Sequence, residues 1–119
     1  MFEQLSLDIV ALLLGCEAFT NVMVRDGKPY LFPMVASEEN GLPLATYALG
    51  EKKPGTKDLN ELSFAICFWF GMEKYKECCQ LTDAVEEYLI DNDYVVQNSK
   101  IEFEFESKSY MGIINVSLI

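Results

Sequence analysis

Apolar and polar positions alternate along this chain in several distinct rhythms, and each rhythm predicts a different element. Residues 3–15 are rich in Leu and Ile and close on Gly15, a residue that commonly stops a helix, so they predict one N-terminal helix packed on more than one side. Val22-Met23-Val24 and Tyr30-Leu31-Phe32 flank Arg25-Asp26-Gly27-Lys28, an Asp-Gly-centred turn that fits a hairpin. Pro33 removes a backbone donor and therefore places an extended segment over 30–36 at a sheet edge or strand end. Pro43 then leads the apolar run 43–49, which Gly50 ends.

The next strand, 63–70, is Ser-Phe-Ala-Ile-Cys-Phe-Trp-Phe, apolar on both alternate faces, as a central strand covered on both sides, or one covering a partner chain, would be. From 73 to 90, Tyr75, Cys78, Leu81, Val85 and Leu89 fall on one helical face. A helix of that length is marginal alone in water, so this stripe must rest on the sheet. Over 101–106, Ile101, Phe103 and Phe105 alternate with Glu102, Glu104 and Glu106, the pattern of a half-buried strand. Ser107-Lys108-Ser109 turns it into a last strand over 110–119. The expected fold is a single α+β domain spanning 1–119: a mainly antiparallel sheet of four to five strands, with an N-terminal helix and the helix 73–90 packed on one face.

At 119 residues and half apolar, the chain can bury one core without a metal or disulfide staple. Its formal charge of −10 repels phosphate backbones and anionic bilayers, which argues against sequence-specific nucleic-acid binding and membrane association. No apolar run approaches the ~18 residues of a spanning helix. The N-terminal stretch carries Glu3 and Asp8 and lacks a basic leader, so it reads as a structural helix rather than a signal peptide.

Candidate chemistry is sparse. The chain contains no His, which removes the usual general base, triad partner and catalytic zinc ligand. Its glycines are isolated and form no phosphate-cradling loop. Cys16, Cys67, Cys78 and Cys79 fall in expected helices and a strand rather than a loop framework, so buried, reduced, metal-free thiols are expected. Asp91-Asn92-Asp93 would need Gly and Glu at the sixth and twelfth loop positions to bind calcium, and Val96 and Glu102 stand there. The stretch reads instead as a polar helix stop, with Asn92 as a left-handed cap. Neither catalysis nor a cofactor is expected. Glu102, Glu104 and Glu106 read as a solvated strand face that could line a DNA-repelling lumen, and Trp69 reads as a core residue or an interface anchor.

The order of elements, together with Tyr30-Leu31-Phe32-Pro33, the Pro-x-x-x-Tyr spacing of Leu42-Pro43-Leu44-Ala45-Thr46-Tyr47, the strand 63–70 and the helix 73–90, resembles the tail-completion or tail-terminator family of long-tailed bacteriophages and prophages. The resemblance implies a non-enzymatic subunit that forms a homo-oligomeric, typically hexameric ring at the end of the tail tube. Its partners would be tail-tube and connector proteins, first in the host cytoplasm and then in the virion tail. The contact elements would be the loop 50–62 with Lys52, Lys53 and Lys57, the strand with Pro43 and Tyr47, and the last hairpin with Glu102, Glu104 and Glu106. The alternative is a small bacterial binding or adaptor module with the same build and no virion role.

Residues 50–62 hold three of the nine basic residues and almost no apolar content before Leu59, so they contribute little to a core. Such a surface loop either reaches a neighbouring acidic subunit, where rim charges mainly set register and association rate, or is a solvated connector with no partner. Replacing 52–57 with a short Gly/Ser linker is expected to leave thermal stability nearly unchanged but to weaken association. Infectivity of a phage lacking the gene and complemented by the variant checks this; full infectivity would remove the loop from the interface.

Overall fold

The strand of Phe and Ile residues expected at the centre of the sheet is there, and it organises everything around it. The computed structural model describes residues 2–36, 41–50 and 63–117. In chain order these form α1 (Phe2–Leu14), α2 (Glu17–Met23), β1 (Val24–Arg25), β2 (Lys28–Pro29), β3 (Leu31–Pro33), β4 (Leu44–Leu49), β5 (Ser63–Gly71), α3 (Tyr75–Asp91), β6 (Val95–Glu104) and β7 (Ser109–Ser117). The main sheet runs β3-β4-β5-β7-β6, and β1 and β2 make a separate two-residue hairpin. This is an α+β fold with an N-terminal helix, and the sheet is antiparallel except for the β3–β4 pair.

Alternation along β5 is complete. Phe64, Ile66, Phe68 and Phe70 are buried, while Ala65, Cys67 and Trp69 are half-buried on the opposite face. The first row joins Ala45, Tyr47, Ile114 and Val116 from neighbouring strands beneath Cys78, Leu81, Val85 and Leu89 of α3 and Ile9, Leu13, Phe19 and Met23 of α1 and α2. Each such side chain contributes roughly 1.5–3 kcal/mol when fully buried, so this one layer carries the fold. Both helical units lie on that side. Among the described residues, helices cover one face of β5.

The N-terminal helix is two helices. Gly15 N–H reaches the carbonyls of Ala11 and Leu12, both at 3.2 Å, and Cys16 turns extended, so α2 leaves at 92° to α1. Phe19 and Met23, four apart, place a second apolar stripe on the core that the sequence reading ended too early to include. Gly15 also makes room for α3: the Tyr88 hydroxyl donates to the Leu12 carbonyl at 2.9 Å, and a Cβ on Gly15 would lie 2.9 Å from that hydroxyl oxygen. With Ile9 and Leu13 buried and Leu7 exposed, α1 packs on one side, not several.

Other boundaries shift for identifiable reasons. β3 covers only Leu31–Pro33 of the expected 30–36, because Met34 takes a left-handed backbone (φ 66°) and donates to the Tyr47 carbonyl at 2.7 Å, ending the strand. It is nonetheless an edge strand, as Pro33 requires. α3 begins at Tyr75 rather than 73, after a turn closed by Lys74 N–H on the Gly71 carbonyl at 3.0 Å. Tyr75 is exposed, so the buried stripe starts at Cys78. Its C-terminal turn is closed by Asn92 in an ordinary conformation, and Asp93 takes the left-handed position (φ 67°) expected of Asn92.

The outer edge strand β6 starts at Val95, six residues before the expected 101, and its first half is polar because only the Val96, Ile101 and Phe103 positions pack inward. It ends at Glu104. Phe105 belongs to the turn 105–108, where Lys108 is left-handed (φ 51°), so the alternation that put Phe105 on a buried face fails at that residue. The last strand begins at Ser109 and its described part ends at Ser117.

Gly112 of β7 lies directly beneath α3, opposite Phe68 on one side and Ile101 on the other. A Cβ there would overlap Thr82 Oγ1, whose hydroxyl donates to the Cys78 carbonyl at 2.8 Å, and would lie 3.2 Å from Thr82 Cβ. Gly112→Ala is therefore expected to destabilise the fold by about 1–3 kcal/mol through overpacking. Adding Thr82→Ala should recover part of that loss. Urea unfolding of both single variants and the double variant measures the coupling, and additive losses would show that the helix is not held this close.

Candidate functional site

Cross-strand partners share a face, so the pairing register lists what the helix-free side of the sheet presents. Leu44, Thr46 and Ala48 of β4 stand beside Trp69, Cys67 and Ala65 of β5, and these beside Met111, Ile113 and Asn115 of β7. Lys100, Glu102 and Glu104 of β6 border that field opposite Ile113, Met111 and Ser109. The centre is apolar and the outer rim charged.

At one end of this face the sheet opens into a groove of about 540 Å³. Met34, Val35, Ala36, Leu42, Leu44 and Trp69 form its apolar walls, and Glu106, Ser107 and Ser109 close it from the β6–β7 turn. Its neutral polar groups already have partners: Trp69 Nε1–H donates to Thr46 Oγ1 at 3.1 Å, and the Ser107 and Ser109 hydroxyls bond each other at 2.6 Å. The lining thus asks little of a ligand in hydrogen bonds and favours an apolar side chain with a positive neighbour near Glu106.

The opposite, helix-bearing side of the same end carries an aromatic patch. Tyr75 packs on Tyr110, Tyr110 on Phe103, and Phe103 on Phe105, each pair with ring centres 5.1 Å apart and edge-to-face geometry. Such pairs contribute roughly 0.5–1.5 kcal/mol beyond their burial. Even so, Phe105 is 82 % exposed and Tyr75 53 % exposed. Met34 and Val35, at 67 % and 80 %, stand out equally at the groove. Large apolar side chains exposed together mark interaction surfaces more often than isolated ones do.

The residues singled out from sequence fall in different places. Tyr47 is buried, with its hydroxyl hydrogen-bonded to Ser6 Oγ, so it serves the core and is withdrawn as a contact residue. Pro43 precedes β4 half-buried, and its carbonyl accepts from Arg25 Nη2; the Arg25 guanidinium also lies 3.6 Å from the Tyr30 ring centre. Lys52, Lys53 and Lys57 lie outside the described residues. Glu102, Glu104 and Glu106 do not form one strand stripe: Glu102 pairs with Lys100 at 2.9 Å, while Glu106 sits in the turn, its backbone N–H on Glu104 Oε1 at 3.3 Å. Trp69 is absent from the core cluster and lines the groove.

Among the described residues, no three of the chain's Cys, Asp and Glu side chains come together as a metal-ligand set, and no single helix is long and apolar enough to cross a membrane. The sequence pattern predicts Phe105 and Tyr75 on the buried faces of a strand and a helix, and Met34 and Val35 in the edge segment 30–36. Local periodicity carries no mark of where a strand or a helix begins or ends, which is what exposes them. A scan against family models and a search of curated proteins return no match for this chain.

The four thiols are free. Burial pushes Cys67 up to about 12, with Cys78 and Glu102 adding to it. Burial likewise pushes Cys78 up to about 11, with Cys79 adding and the hydrogen bond to Thr82 opposing. Both groups keep their protons in the folded chain at pH values where the unfolded chain, with thiols near 9, releases them. Their contribution to stability is therefore complete below pH 9 and lost as pH rises from 9 through 11 to 12. The urea midpoint is expected to fall across pH 9–10.5, and less steeply in Cys67→Ala/Cys78→Ala. Alkylation at pH 8 should be slow at both positions until the chain is unfolded.

Proposed function

We propose that this chain is a structural subunit that self-associates head to tail, in the manner of a phage tail-completion protein. One observation carries the self-association: two unlike apolar patches, the groove at Trp69 and the aromatic patch at Phe105, lie on opposite faces of the same end of the sheet. A two-fold dimer needs one self-complementary patch, whereas a ring or filament needs two different ones that fit each other. The phage assignment rests on the element order and on the Phe-Pro and Pro-x-x-x-Tyr segments. In that role the subunit would close into a ring, typically of six copies, between tail tube and connector, acting in the host cytoplasm and then in the virion tail. Its work would be geometric, and no residue has a catalytic part.

The carboxylates Glu102 and Glu104 support such a role where they face outward on the open side, because like charge keeps passing DNA from adhering. Sedimentation of the purified chain at rising concentration, with and without the tail-tube protein of the same phage, tests this. The expected result is a species several times the 13.5 kDa chain mass, formed alone or on the tube protein. A chain that remains monomeric in both conditions would fit an adaptor module and would overturn the proposal.

A further inference from the structure

We propose that the free edge of β6 joins β6 of a second copy, the two strands running antiparallel about a two-fold axis at Ile101 and continuing one sheet through both chains. This contact lies along the side of the sheet, apart from the two patches at its end, and does not depend on them. β6 closes the strand order β3-β4-β5-β7-β6, and among the described residues only β7 pairs with it. Its outer backbone groups therefore have no strand partner over ten residues, Val95–Glu104, which makes them a template for pairing with another chain. The other edge of the sheet offers far less: β3 is three residues long, and Pro33 has no N–H to give.

The placement of charges along β6 favours a second copy as the partner. Asn98, Lys100, Glu102 and Glu104 oppose Asn115, Ile113, Met111 and Ser109 on the helix-free face, while Ser99, Ile101 and Phe103 oppose Ile114, Gly112 and Tyr110 on the helix side. An axis normal to the sheet keeps the helices of both copies on one side, and residues that meet across it share a face. Centring on Lys100 or Glu102 sets like charge against like at the axis. Centring on Phe103 sets Glu102 against Glu104 twice, and centring on Ser99 carries Glu102 into the bulge between Val96 and Asn98. Centring on Ile101 sets Lys100 against Glu102 of the second copy twice and Glu104 against Asn98 twice, with no like pair directly opposed. Directly opposed side chains stand about 4.5–5.5 Å apart at Cβ, within reach of an ion pair. Lys100 and Glu102 already meet at 2.9 Å within one chain and stay half-exposed, so each can take a second partner.

Packing selects the same centre. The neighbour of Ile101 on β7 is Gly112, which offers no side chain, because Thr82 and Cys78 of α3 occupy the space a Cβ would need. Ile101 of a second copy supplies the missing cross-strand neighbour. Glu86 of α3 accepts from the Ser99 hydroxyl at 3.1 Å and so stays with its own strand. Lysines and bulges commonly guard edge strands against pairing. Here the bulge closes only the start of β6, and at the Ile101 register Lys100 meets a carboxylate.

Exchange of charge at two exposed positions tests the register without touching the core. Sedimentation of the whole chain at rising concentration should give twice the 13.5 kDa chain mass, or an even multiple of it. Lys100→Glu and Glu102→Lys each turn both ion pairs into like-charge pairs. Each alone should sediment at half the wild-type mass, up to concentrations at least about tenfold above the wild-type midpoint. The two mixed in equal amounts should regain the wild-type mass. The double variant Lys100→Glu/Glu102→Lys should pair with itself but not with the wild type.

A wild type that is monomeric alone would overturn the pairing and leave β6 an edge guarded by Lys100, whether or not tail-tube protein then assembles the chain. Single variants that keep the wild-type mass would put association elsewhere and overturn this contact while leaving the head-to-tail reading standing. Mass lost in the single variants and recovered in neither the mixture nor the double variant would overturn the register, and the contact with it.

Discussion

A strand apolar on both faces needs two covers, and the helices of this protein supply one. β5 puts Phe64, Ile66, Phe68 and Phe70 under α1, α2 and α3, and leaves Cys67 and Trp69 on the other side with Leu44, Met111 and Ile113 as neighbours. The covered row accounts for the core. The row away from the helices lines the groove, where Trp69 stands in the wall with Leu44 and Thr46 beside an edge strand that stops at Pro33.

The covered side is held close by small groups placed where large ones would not fit. Gly112 lets Thr82 and Cys78 of α3 reach the sheet, and Gly15 lets the Tyr88 hydroxyl reach the last turn of α1. These contacts fix α3 over β5, β6 and β7. They also fix its first turn, so Tyr75 meets Tyr110 at the end of the sheet and begins the aromatic row that runs out to Phe105. Core packing and the outer aromatic patch are thus one mechanical arrangement.

Electrostatics adds selectivity to these apolar surfaces. A chain of charge −10 repels copies of itself at long range, with screening over about 10 Å at ordinary salt. Any contact between copies of such a chain requires local complementarity to offset that repulsion. The intramolecular pair Lys100–Glu102 is exposed and contributes little to stability, as is typical of surface pairs.

The α+β class, the central place of 63–70, the edge position of Pro33 and the helix resting its Cys78-Leu81-Val85-Leu89 stripe on the sheet were all legible in the sequence, because periodicity and proline chemistry are local properties. The corner at Gly15, the polar first half of β6 and the parallel β3–β4 pair were not, since each depends on what packs across from it. Tyr47 shows the limit most clearly: the family resemblance implies a contact residue there, whereas the side chain is buried and its hydroxyl partner Ser6 lies 41 positions away. Phe105 is the converse. Its alternation with Glu104 and Glu106 predicts burial, and only the turn that ends β6 one residue earlier decides that it faces water. Periodicity along a chain determines which side chains can be buried together; where the strands stop, and which face receives the helices, is decided by long-range packing.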